Sequence, residues 1–198
     1  MERLQSIATG ISRAGAIAGG ALLLIAAIVI CIDISLRYAF AWTVGGADEL
    51  SGYALAIASA WGFSSALLSR SHIRIDTIYV RVKSRVRVVL DLASLAALAF
   101  FMGLVAWHGW GVVHQSWISG SRSQSELETP LVIPQALWFL GLVFFVAVAA
   151  LLLARGLYAW LRGDPGKLFE LIGSKSAVAE AEEEISAVER AFDEGRKP

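Results

Sequence analysis

Few residues in this sequence could do chemistry. They are three histidines (His72, His108, His114), one cysteine (Cys31), an acidic pair (Asp48-Glu49) and a charged group formed by Arg70, His72, Arg74 and Asp76. Three histidines in an apolar chain could suggest a membrane haem protein. His108 and His114 are six residues apart, about 240° around a helix, so they share no face, and His72 is separated from both by a long apolar run. A single cysteine excludes an internal disulfide and any C-x-x-C metal or redox motif; inside its apolar stretch Cys31 reads as a buried, inert thiol. There is no nucleophile motif and no glycine-rich phosphate loop. The residues therefore point away from an enzyme, and they assign no cofactor or metal to this chain.

The elements that must position these side chains are four apolar runs, at 14–32, 50–68, 92–113 and 131–154, none of which contains Asp, Glu, Lys or Arg. The whole chain of 198 residues is 57% hydrophobic and only 17% charged, against about a quarter charged in a soluble domain. Each run, at about 1.5 Å per helical residue, is long enough to cross a hydrocarbon core of about 30 Å. No ten-residue alternation repeats, so helices rather than barrel strands satisfy the backbone. The first run exceeds a signal-peptide core and lacks a small-residue exit, which predicts a retained helix. The expected fold is all-α and integral to the membrane. It has four transmembrane helices with interfacial segments, in a membrane domain over 1–173, followed by an acidic, partly helical or disordered tail over 174–198.

Basic residues set the orientation. Arg70, Arg74, Arg81, Lys83, Arg85 and Arg87 all fall between the second and third runs, whereas the opposite side holds only Arg37 and Arg122. The positive-inside rule puts the basic loop and both termini in the cytoplasm, with lipid headgroups as partners of the arginines. Nothing points to nucleic acid. Residues 80–88 alternate as a strand would, but a lone strand has no pairing partner, so a basic interfacial helix is expected there. Trp42, Trp107, Trp110, Trp117 and Trp138 are expected at the outer membrane level, and Tyr158 and Trp160 at the inner one.

Within this frame Asp33 is expected to close the first span, and 34–42, with Arg37 among aromatics, to lie along the outer interface. Gly45-Gly46 then breaks the chain before the second helix. Gly15 and Gly19 form a G-x-x-x-G spacing that admits a close neighbour. The second run carries two small-residue rows, Gly52/Ala56/Ala60/Ser64 and Ala54/Ala58/Gly62/Ala66, with Tyr53, Ile57 and Trp61 as a ridge between them. Two such faces predict a helix sandwiched between neighbours, in part from a second protein. Pro130 and Pro134 open the fourth helix, where a missing N–H matters little. Formal charges stand only at span ends, unlike an autonomous carrier with ionisable groups near the midplane. A scaffold or accessory subunit fits better.

Four fragments in order carry a family resemblance: RYAFAW (37–42), the acidic pair before the second run (48–49), RSHIRID (70–76) and TPLVIPQALWF (129–139). Over roughly 25–162 the chain resembles the small membrane subunit, DctQ type, of TRAP (tripartite ATP-independent periplasmic) transporters. Two features depart from that pattern: Asp48-Glu49 follows Gly-Gly, and the tail beyond 173 is long. The resemblance implies a small permease subunit in the bacterial inner membrane. It would scaffold a large permease subunit that holds the substrate path and the sodium sites, for sodium-coupled symport of an organic acid delivered by a periplasmic solute receptor. Arg37, Trp42, Asp48, Glu49, Arg70, His72 and Asp76 become candidates for the subunit interface or for positioning in the membrane. Helix capping is the simpler role for Glu49, and local hydrogen bonding for His72. The alternative from another class is a membrane anchor or quinone-linked subunit of a redox complex.

Overall fold

A computed structural model describes residues 2–69 and 84–162. The arginine-rich stretch from 70 to 83, with Arg70, His72 and Asp76, and the acidic tail lie outside the described residues. Four helices follow one another: α1 (Glu2–Phe40), α2 (Ala47–Leu68), α3 (Ser84–Ser119) and α4 (Val132–Leu161). By length and composition, α1, α3 and α4 are apolar enough to cross a membrane. The chain is a multi-pass membrane protein. α2 forms where expected but falls outside that group, because Ser51, Ser59, Ser64, Ser65 and its glycines take places that leucine or valine fill elsewhere.

α1 is longer than its apolar run. Its 39 residues reach about 58 Å, starting well before residue 14 and continuing past Asp33. The segment 34–40 is thus the last two turns of α1 rather than a separate interfacial piece. Asp33 does not end the helix because Arg37, one turn on, donates to its carboxylate at 2.6 Å. The helix stops where Ala41 adopts a positive φ of 50°. Cys31, expected to be buried, is exposed on the outer flank of α1.

The main helix–helix contacts join α1 to α2, α2 to α4 and α4 to α3. The helices therefore stand largely in a row, with α1 and α3 at its edges. α4 carries the core. Phe145, Val148, Ala149 and Leu152 repeat at three- and four-residue steps, are nearly fully buried, and gather Ala8, Leu67, Val88, Leu92 and Leu95 from the other three helices. Hydrophobic transfer does little inside lipid, so close packing has to hold the helices together.

Small residues provide that packing. A methyl group added at Gly15 would stand 2.7 Å from the Trp61 ring, and one at Gly19 would stand 2.9 Å from the Ala58 Cα. The G-x-x-x-G spacing of α1 is therefore occupied within the chain, by α2. On the other flank of α2 a methyl at Gly141 would lie 2.9 Å from the Ala60 Cβ. Ala54 and Ala58 thus face α1, while Ala60 faces α4, as the two rows predict. Gly52 and Ala56 remain exposed, so the chain fills the rows only in part. Trp61 lies between both neighbours. It stacks on Phe144 at 5.8 Å, and its indole N–H donates to the Leu137 carbonyl at 3.1 Å.

Candidate functional site

The two connections 41–46 and 120–131 lie together at one end of the row, the two-loop end. The first is built from special backbone. Ala41, Gly45 and Gly46 all have positive φ, a conformation that only glycine adopts without strain. The carboxylate of Asp33 holds this turn against α1. Its Oδ1 accepts from the Thr43 hydroxyl at 2.7 Å and from the Val44 amide at 2.8 Å, while Oδ2 takes the Arg37 guanidinium. Asp33 is only 3% exposed. The sequence marks it as a charge at a span end; its partners ten and eleven residues on carry no local signal.

The second connection is closed by a short antiparallel bridge between Arg122 and Pro130. The Ser123 amide donates to the Thr129 carbonyl at 2.9 Å, and the Leu131 amide to the Ser121 carbonyl at 3.1 Å. α4 then starts as its prolines demand. Pro134 stands in its first turn, and the carbonyl of Pro130, which a helical amide at 134 would have used, accepts from Ile133 at 3.1 Å.

Glu49 joins the two connections. One carboxylate oxygen accepts from the Tyr53 hydroxyl at 2.5 Å; the other accepts from the Ser123 hydroxyl at 2.6 Å and from the Ser125 hydroxyl. The hydrogen bonds from Ser123, Ser125 and Tyr53, in that order, hold its carboxyl far below the usual range, at about 2. It also stands in the first turn of α2, beside the positive end of the helix dipole. Its hydrogen bonds go to side-chain hydroxyls and not to free amides of the helix start, and two of them make a clamp to residues 74 and 76 positions away in sequence. Gly45 and Gly46 complete the contact. A side chain at Gly45 would meet the Glu126 carboxylate, and one at Gly46 would meet Leu127.

Of the candidate residues, the structure brings Arg37, through Asp33, and Glu49 into this end. Asp48 is exposed beside Glu49, and Trp42 is 61% exposed. Ser123, Ser125, Tyr53, Asp33 and Thr43 also belong to the site. The alternation of Ser121, Ser123 and Ser125 is the one sequence signal that could have marked the loop. Chemically, a carboxylate with three hydroxyl donors is a fixed anion and a tether, poorly suited to carry protons. Around it Asp48, Glu126 and Glu128 are exposed beside Arg37 and Arg122, with Trp42, Val44 and Leu127 exposed among them. Among the described residues no group of three or more potential metal ligands gathers here or elsewhere.

A family profile described as Tripartite ATP-independent periplasmic transporters, DctQ component, matches residues 10–159. No curated protein and no solved structure matches the chain.

Proposed function

The chain belongs to the DctQ component family of tripartite ATP-independent periplasmic transporters, and from that premise we propose that it scaffolds the large permease subunit of such a transporter. The family match over 10–159 carries this reading. The arrangement of the helices supports it: a row of long helices widens the membrane footprint of a partner, and the buried charges Asp33 and Asp91 sit toward opposite helix ends. In this reading the chain spans the bacterial inner membrane four times, α2 included, with both termini in the cytoplasm. The two-loop end then faces the periplasm.

There the clamped connections form a rigid surface for the solute receptor, with Arg37, Trp42, Asp48 and Glu49 positioning it. Arg70, His72 and Asp76 fix the opposite end of α2 at the cytoplasmic face. The solute is an organic acid, taken up with sodium on the large subunit. Reconstitution of the large subunit and receptor in liposomes, with and without this chain, tests the proposal. Sodium-driven uptake is expected only when the chain is present, and none from the chain alone. Uptake by the isolated chain, or equal uptake without it, would overturn the proposal.

A further inference from the structure

Both edges of the helix row are open, and they differ in chemistry. On the outward flank of α1 the large exposed residues within the apolar run are leucine and isoleucine, and two of its hydroxyls bond back into the helix: Thr9 donates to the Gln5 carbonyl at 2.9 Å and Ser35 to the Cys31 carbonyl at 2.7 Å. Such a surface suits lipid. The outward flank of α3 presents His108. Its imidazole is exposed, makes no hydrogen bond among the described residues, and lines a groove of about 460 Å³ with Phe101, Leu104, Val105, Val112 and Trp138.

The depth of His108 follows from two registers. It lies five residues inside the apolar run that ends at Val113, about 7.5 Å along the helix. Its neighbour Gly109 packs on Trp138, where an added methyl would stand 3.1 Å from the ring, and Trp138 is six residues into α4. The tryptophans of α3 agree. Trp107 and Trp117 are ten residues apart on one continuous helix, about 15 Å, so they do not mark one membrane level as the sequence predicts. Trp117 and Ile118 lie beyond the end of the apolar run at Val113, whereas Trp107 lies inside it. The apolar run itself, 92–113, puts Trp107 and His108 in the stretch that crosses the hydrocarbon layer. Acyl chains offer imidazole no hydrogen-bonding partner, and ionisable side chains at such depth face either protein or a water-filled cavity.

We propose that the outward face of α3, from Phe101 to Val112, is the docking surface for a membrane helix of the large permease subunit, which presents a hydrogen-bonding group to His108. This rests on the chain being a component of a three-part transporter. A photo-reactive residue placed at Leu104 or Val112, with the large subunit and receptor co-expressed, is expected to cross-link to the large subunit; one at Ile28 of α1 is expected to give no protein adduct. His108→Leu is expected to lower recovery of the large subunit with this chain about threefold or more, the range of an interhelical hydrogen bond, and His108→Gln to restore most of it. Adducts from Ile28 but not from α3, homodimer adducts from α3, or unchanged recovery with His108→Leu would overturn the docking surface. Failure of the unsubstituted chain to recover the large subunit would instead overturn the subunit reading itself.

Discussion

Gly19 of α1 lies directly on the backbone of Ala58 in α2, so close that a single added methyl would come within 2.9 Å of the Ala58 Cα. Backbone cannot swing aside as a side-chain tip can. Gly19→Leu is therefore expected to push α1 off α2 and to destabilise the fold by about 1–3 kcal/mol, the usual effect of overpacking. Gly20→Leu is the matched control, because nothing lies within 4 Å of a methyl there. Thermal unfolding in detergent, followed by tryptophan fluorescence, should separate the two; equal midpoints would show that the α1–α2 contact contributes nothing.

Trp61 joins α1, α2 and α4 with one side chain. Trp61→Phe keeps an aromatic ring against Phe144 but removes the indole donor to the Leu137 carbonyl. The loss should be small, about 0.6 kcal/mol, as measured for hydrogen bonds between membrane helices. Trp61→Ala should cost several times more, since it also empties the space between Gly15 and Gly141. A phenylalanine variant as unstable as the alanine one would mean that the hydrogen bond, not the packing, holds the row together.

The clamp on Glu49 makes the two-loop end sensitive to acid. Its carboxyl titrates lower in the folded chain, at about 2, than its ordinary value of 4.5. Stability from a carboxylate lowered in this way is fully present above 4.5 and disappears as the pH falls toward 2. Amide protection in 123–128, corrected for intrinsic exchange, should hold level from pH 7 to about 5 and then fall. Glu49→Gln should show reduced protection at every pH and no fall across that window. A wild-type profile that stays flat down to pH 3 would contradict the clamp.

Local rules located much of this fold, and distance hid the rest. The Gly45-Gly46 break, the start of α4 around Pro134 and both packing rows of α2 follow from backbone conformation and helical spacing, each within a few residues. Their neighbours did not follow. Small rows say that something packs closely, and only the register of α1 and α4 shows which helix it is. The length of α1 was hidden because a charge inside a helix reads as its end, unless a partner one turn on compensates it. Glu49 was legible as an acid at a helix start. Its true partners, Ser123 and Ser125, sit in a loop whose approach depends on the α3–α4 pair folding alongside α2.

Asp33 supports the same end from the other side. Its carboxylate gathers Arg37, Thr43 and the Val44 amide, turning the chain from the end of α1 into the Gly45-Gly46 corner on which Glu126 and Leu127 pack. Asp33→Asn keeps an oxygen that can accept from Thr43 and Val44 but loses the ion pair with Arg37, whose side chain is 62% exposed. Asp33→Ala loses all three bonds and leaves the Val44 amide to find water. The order of stability should therefore be wild type, then Asn close behind, then Ala well below. Because 41–46 braces 120–131, the alanine variant should also raise protease cleavage in both connections, whereas the asparagine variant should not. Cleavage confined to 41–46 in Asp33→Ala would show that the two connections fold independently, and that Glu49 alone fixes the second.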